Sequence, residues 1–175
     1  WHSGYGNNGF QQLNTTAAAV GEYSWFMGST APSSTLVTMG NGGTVNASGN
    51  SYVMYAFHDV AGYSKFGSYT GSGSSGKAIT TGFPVGFVII KKTNAVGDWT
   101  MHDNVRGGDN RLYANESDAE GTGYEVQFDS NGFTLLNGVG NWNNSGDTYI
   151  YMAFADKREY AYWLDQSGNN NDWTS

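Results

Sequence analysis

Two eleven-residue strings of this chain are nearly the same and stand 97 positions apart. Residues 49–59 read GNSYVMYAFHD, and residues 146–156 read GDTYIYMAFAD. Each runs from a polar start through about six mostly β-branched or aromatic residues to a charged stop, which is typical of a buried strand. We therefore expect the chain to be organised around two copies of one strand.

The repeat extends beyond these strings and predicts two units of unequal completeness. His2 aligns with His102, and the likeness continues in weaker form up to the strings. Residues 62–156 form a complete β-sandwich repeat, whereas residues 1–61 match only its later part. Residues 157–175 change in pattern and are interpreted as a joint to a further domain or a terminal segment.

The first unit lacks the two strands that residues 63–69 and 83–92 supply in the second. A β-unit without them has open edges and an uncovered core face, so it should not be stable alone. We therefore expect that Trp1 is not the biological start. Either preceding chain or a neighbouring subunit would supply the missing strands, as in donor-strand complementation.

Composition points to a β-rich protein of the extracellular type. Aromatic residues make up 15% of the chain and charged residues 13%, with 26 glycines, so charged disorder is excluded. The net charge of −7 argues against a nucleic-acid partner. No apolar run is long enough to predict a membrane span. The absence of cysteine favours a virion or prokaryotic surface protein over a secreted eukaryotic module.

Short apolar or alternating runs between Gly, Asn and Ser turns predict the strands. In the first unit they are residues 10–13, 23–27, 35–39 and 51–58, with at most one helical turn at 14–19. In the second unit they are residues 63–70, 85–92, 98–102 and 111–113, a hairpin of 124–128 and 132–136, and the strand within 146–156, with an acidic loop at 114–123. About eight strands per unit and no long helix predict an all-β fold of tandem antiparallel β-sandwich, jelly-roll-like repeats.

The residues that could carry catalysis do not form a convincing pattern. The candidates are His2, His58 and His102, and the acidic residues Glu116, Asp118, Glu120 and Glu125. The repeated histidine favours a role in the fold, and the acidic loop offers no aromatic platform beyond its flanking tyrosines. The prediction is a protein that is not an enzyme.

A glycan site is the strongest binding hypothesis. Sugars are bound by an exposed aromatic face together with amide side chains that bond hydroxyl groups. Trp142 interrupts a loop of Gly and Asn and is flanked by Asn141, Asn143 and Asn144, and Trp99 is a second candidate. The alternative, an aromatic residue folded back over the core, stays open.

Two further kinds of site are predicted from spacing. Asp165, Asn169 and Asn171 present oxygen atoms at alternate positions, as calcium loops do, although an ordinary Asx-rich turn explains them as well. The chain also holds the N-glycosylation sequons of Asn14, Asn46, Asn115 and Asn143, which would be modified only in a glycosylating host.

Several short strings in the same order resemble the repeated β-domains of marine bacteriophage tail-fibre and tail-associated proteins. They are residues 62–71, residues 81–91, the Asp98–Trp99 pair and residues 149–155. The resemblance implies structural and host-contact modules along a trimeric or fibrous stalk. Residues 165–173 are similar to the entry of concanavalin-like lectin domains.

Together these features predict a structural and host-contact module of a viral tail fibre or similar extracellular fibre, located on the virion or an extracellular surface. Its partners would be further copies, as a trimer or helical fibre, and host-surface glycans. No cofactor is predicted beyond the calcium hypothesis. The alternatives are a cell-surface filament subunit completed by its neighbour and a polysaccharide depolymerase.

Overall fold

The structure, a computed structural model, describes residues 1–7, 9–21, 23–123, 125–138 and 140–157. The strands are β1 (Ser64–Thr70), β2 (Lys77–Thr80), β3 (Val85–Lys92), β4 (Trp99–Asp103), β5 (Asn110–Tyr113), β6 (Gly121–Thr122), β7 (Val126–Asp129), β8 (Gly132–Leu135) and β9 (Thr148–Ala155). Before them come a 3-10 turn (Ser3–Tyr5) and two single-turn helices, α1 (Ser24–Met27) and α2 (Gly43–Asn46). Within the described ranges, no helix has the length and apolar character to cross a membrane.

The strands form two antiparallel sheets that pack as a sandwich. One sheet has the order β1-β9-β3-β4-β5-β6, and the other has the order β2-β8-β7. Each pairing is antiparallel. The predicted all-β class and antiparallel sandwich are therefore confirmed, and the organising strand of the second unit is β9, hydrogen-bonded on both sides.

The period of two along β9 places its large side chains between the sheets. Tyr149, Tyr151 and Ala153 are 0%, 5% and 0% exposed, and they belong to the core between the sheets. The core residues are Ile79, Phe83, Val85, Val88, Ile90, Val126, Phe133, Leu135, Trp142, Tyr149, Tyr151 and Ala153. Strand β9 is thus the centre of the larger sheet and of the core.

Residues 1–7 and 9–20 lie across the other face of the larger sheet. The backbone N–H of Gly97 donates to the carbonyl of Thr16 at 3.0 Å. A Cβ on Gly4 would lie 3.1 Å from Cγ2 of Ile150, so the N-terminal chain is in close contact with β9. Because the N-terminal chain covers this face, Ile150 of β9 is only 3% exposed although it points away from the core between the sheets.

The strands predicted for the first unit are not formed, so the tandem second sandwich is absent from the described residues. Residues 23–27 contain the helix α1, and residues 10–13 contribute only one isolated bridge, at Phe10. Residues 35–39 and 51–58 carry no strand, and residues 14–19, where at most one helical turn was expected, form no helix. The physical reason is that a strand needs backbone partners, and this part of the chain contains no counterpart of β1 and β3.

In the second unit the predicted strands are confirmed to within a few residues. Residues 85–92 are β3 as predicted, and β7 and β8 form the predicted hairpin. The prediction missed β2 and β6, which have only four and two residues. Strands this short carry too little periodicity to be recognised from sequence.

Candidate functional site

Trp142, the predicted glycan platform, does not offer an exposed face. It is 6% exposed and belongs to the core between the sheets. Its indole Nε1 donates to Oδ1 of Asn137 at 2.8 Å, and its ring meets that of His102 edge to face at 6.2 Å. The prediction of exposure is therefore wrong, because the loop folds this aromatic residue inward as a lid over the core.

The asparagines beside this tryptophan hold the chain together. Asn143 is 0% exposed, and its Oδ1 accepts the backbone N–H of Ser72 at 2.8 Å. Its Nδ2 donates to the carbonyls of Ser74 and Asn137 at 2.8 and 2.7 Å. A buried amide with these three hydrogen bonds is a latch between two loops.

Asn141 and Asn144 are also used internally. Nδ2 of Asn141 donates to Oδ2 of Asp98 at 2.8 Å. The backbone N–H of Asn144 donates to the Tyr149 hydroxyl at 3.0 Å. The four residues 141–144 therefore form a structural loop, and their grouping by sequence does not produce an open binding face.

Trp99, the second candidate, is covered by the N-terminal chain. It is 6% exposed, and its Nε1 donates to the carbonyl of Gln12 at 3.0 Å. The ammonium group of Lys91 lies 5.9 Å from its ring centroid. Burial lowers the pKa of Lys91 to about 8, with the nearby Asp98 acting in the opposite direction.

The four sequons differ in accessibility. Asn14 and Asn46 are exposed, whereas Asn115 is partly buried and Asn143 is fully buried. Oδ1 of Asn115 accepts the backbone N–H of Trp99 at 2.8 Å. A glycan fits the two exposed positions, while the buried amide would have to leave its latch.

The predicted calcium ligands Asp165, Asn169 and Asn171 lie outside the described residues. Among the residues that are described, no group of three or more His, Asp or Glu side chains could hold a metal ion. The calcium hypothesis therefore stays a prediction.

A buried charged cluster, which sequence reasoning did not assemble, lies beneath the tryptophan lid. His102 is 0% exposed and Glu125 is 2% exposed, with His102 Nε2 3.8 Å from Glu125 Oε2. Arg111 Nη1 donates to Glu125, and its Nε donates to the Tyr113 hydroxyl at 2.6 Å. The guanidinium also lies 5.8 Å from the Trp142 ring centroid. The signal for this cluster was weak, because its members are on three strands or loops far apart in sequence.

Burial sets the protonation of this cluster. It raises the pKa of Glu125 to about 7, with the charge of Arg111 acting in the opposite direction. It lowers the pKa of His102 to about 4. Of the other predicted acidic residues, Glu120 pairs with Arg106 at 2.7 Å. These contacts link strands and loops within the domain.

One surface that the fold leaves unexplained is the unpaired segment, which we define as residues 51–58. Among the described residues its backbone makes no backbone–backbone hydrogen bond. Its large side chains keep much of their surface exposed to solvent. Their exposures are Tyr52 46%, Val53 79%, Met54 61%, Tyr55 82% and Phe57 64%.

The unpaired segment is the first-unit copy of the strand that became β9. Phe57 alone touches the sheet through rings, at 6.1 Å from Phe66 and 6.0 Å from Phe154. Beyond it, Oδ1 of Asp59 accepts the backbone N–H of Phe66 at 2.8 Å. An apolar segment that is exposed over most of its length marks an interaction surface.

The fold and this surface define an antiparallel β-sandwich domain that carries an unpaired copy of its own central strand. A family model described as a domain of unknown function, DUF7483, matches residues 1–158. The chain belongs to this family. The match runs across both repeat units, and no curated protein and no solved structure matches the chain.

Proposed function

We propose that this protein is a structural module of an extracellular fibre, of the viral tail-fibre kind, built from repeated units of its own domain. The observation that carries the proposal is the unpaired segment. A monomeric soluble protein rarely leaves a run of five large apolar side chains exposed. In an assembly, the same run becomes an interface.

The free energy available at this surface is large compared with that of an ordinary surface loop. Covering one large apolar side chain contributes about 1.5–3 kcal/mol. Complete burial of five such side chains from full exposure sets an upper bound of roughly 7–15 kcal/mol before the costs of association are subtracted, and these five are already partly covered. Backbone pairing adds to this, because the free N–H and C=O groups of an extended chain are a template for another strand.

Host contact is the second part of the proposed function, and it falls to the loops. The residues predicted to bind glycans are committed to the core and to the latch, so Trp142 supports no sugar-binding surface in this fold. The cell-surface filament alternative uses the same unpaired segment and differs only in symmetry, since an open helical filament need not close.

Self-association of the full chain tests the proposal. We expect light scattering after size exclusion to show an average mass that rises with protein concentration, and electron microscopy to show elongated assemblies. Val53→Asp should abolish association, because it places a charge in the interface. The matched control is Val105→Asp, since Val105 is 70% exposed but lies outside the segment.

A wild-type chain that stays monomeric at high concentration would overturn the proposal. Equal association of the Val53→Asp variant would remove the segment from the interface. Turnover of a polysaccharide by the purified chain would instead favour the depolymerase alternative.

A further inference from the structure

The turn before the unpaired segment already has the conformation of the turn before β9. The backbone N–H of Ala47 donates to the Tyr52 hydroxyl at 2.9 Å, and that of Asn144 donates to the Tyr149 hydroxyl at 3.0 Å. Both pairs are five residues apart and are related by the repeat. The chain that enters the unpaired segment is therefore preorganised as a strand entry.

Two further features of this entry repeat. Nδ2 of Asn46 donates to the carbonyl of Gly40 at 3.0 Å, as Nδ2 of Asn143 does to the carbonyl six residues before it at 2.7 Å. Gly49 and Gly146 both adopt positive φ angles, 81° and 77°. Backbone conformation and side-chain hydrogen bonding thus agree between the two copies, although one copy is followed by a paired strand and the other is not.

The paired copy shows what the unpaired one lacks. Strand β9 lies between β1 and β3 and is antiparallel to both. Tyr151 faces Gly67 in β1 and Ile90 in β3, and Gly67 leaves the room that the tyrosine ring occupies, since a Cβ there would lie 2.5 Å from its hydroxyl. The counterpart of Tyr151 in the unpaired segment is Met54.

We propose that the unpaired segment inserts as the central strand between the β1-type and β3-type strands of another unit of this domain. This inference rests on the proposed function and names the partner. Repeat alignment fixes the register: Met54 lies opposite the partner's counterparts of Gly67 and Ile90, as Tyr151 does in β9. Tyr52, Met54 and Ala56 then enter the new core, and the N–H and C=O groups on both edges of the segment are paired.

Asn46 is the second contact that the inference assigns. In the complete unit, Oδ1 of Asn143 accepts the N–H of Ser72 and Nδ2 also donates to the carbonyl of Ser74, both in the loop after β1. Asn46 makes the local half of this latch and lies on the surface. In the assembled unit it holds the corresponding loop of the partner.

The test uses the full chain, alone and extended before Trp1 by a second copy of its own residues 62–100. This extension supplies strands of the β1, β2 and β3 types. We expect the amides of residues 52–58 to exchange with solvent at least ~100-fold more slowly in the extended chain, because they gain partners on both edges. Unchanged protection of β9 is the control that the original sandwich stays folded.

Two variants of the extended chain make the test specific. Met54→Asp should return the exchange of the segment to that of the unextended chain, since the new charge would face the core beside Gly67 and Ile90 counterparts. Ser51→Asp is the matched control, because its counterpart Thr148 is exposed in β9. It should leave the protection in place.

Unchanged exchange in the extended chain would overturn the inference, and so would full protection in the Met54→Asp variant. Self-association of the wild-type chain is measured separately. If the wild-type chain assembles but the extension does not slow the exchange of residues 52–58, the proposed function stands and the proposed partner of the segment is wrong.

Discussion

Strand β9 and the unpaired segment have nearly the same sequence and opposite environments. Tyr149, Tyr151 and Ala153 are buried between two sheets, whereas Tyr52, Met54 and Tyr55 are exposed. The turns that precede the two copies make the same hydrogen bond, so the local sequence determines the same turn in both. The difference shows that strand propensity alone does not form a strand. Neighbouring strands must be present to pair with its backbone.

The largest expected difference in the free energy of unfolding is between alanine substitutions at equivalent positions of the two copies. Tyr151→Ala should lower the free energy of unfolding by about 3–5 kcal/mol, because it leaves a cavity beside Phe133 and Tyr69. Met54→Ala should change it by less than about 0.5 kcal/mol, since that side chain is 61% exposed. Denaturant titration measures both, and equal losses would break the comparison.

The two latch asparagines give the next largest difference. Asn143→Ala should cost about 1–3 kcal/mol, because buried partners at Ser72 and Ser74 lose their hydrogen bonds. Asn46→Ala should cost less than about 1 kcal/mol, since the bond from its side chain to the carbonyl of Gly40 is local and exposed. The midpoints of urea denaturation at an unchanged m-value provide the measurement. A large loss of stability in Asn46→Ala would show that Asn46 already holds a second loop, as Asn143 does.

The pH dependence of stability sharpens the comparison, because the buried acid belongs to the complete unit. The folded state raises the pKa of Glu125 from 4.5 to about 7, so its contribution is present below pH 4.5 and lost as the pH rises through about 7. The folded state lowers the pKa of His102 from 6.5 to about 4, so its contribution is present above pH 6.5 and lost as the pH falls through about 4.

Between pH 4.5 and 6.5, rising pH lowers the contribution of Glu125 to stability and raises that of His102. Glu125→Gln removes one of them. The stability of this variant should rise with pH across that window, by at most about 1.4 kcal/mol per pH unit, relative to the wild-type profile. Thermal denaturation at a series of pH values tests this, and parallel profiles would contradict it.

The smallest effect on stability is expected from glycosylation in a eukaryotic host. Asn46 should accept a glycan with little change in stability, because it lies on the surface. Asn143 should be unmodified in folded protein, since its amide nitrogen is buried and donates two hydrogen bonds. Mass spectrometry of glycopeptides decides between them, and a folded protein modified at Asn143 would show that the latch opens.

Sequence reasoning succeeded where local pattern and tertiary pairing agree. It predicted residues 85–92 as a strand, and β3 has those bounds. It failed for residues 35–39 and 51–58, which have strand patterns without neighbours. For Trp142 it left open an exposed platform and an aromatic residue folded over the core, and the loop folds the indole onto His102.

The sequence by itself determined the repeat, the all-β class and the residues with strand character, because these follow from the spacing of apolar side chains and turn residues along the chain. Only the tertiary structure decided which copy of the repeated strand is paired, and which loop residues are buried. Strand pairing joins backbone groups that are far apart in sequence, as between β1 and β9. A short apolar run therefore indicates only that its residues favour a strand. The strands that pair with it lie elsewhere in the chain or in another unit.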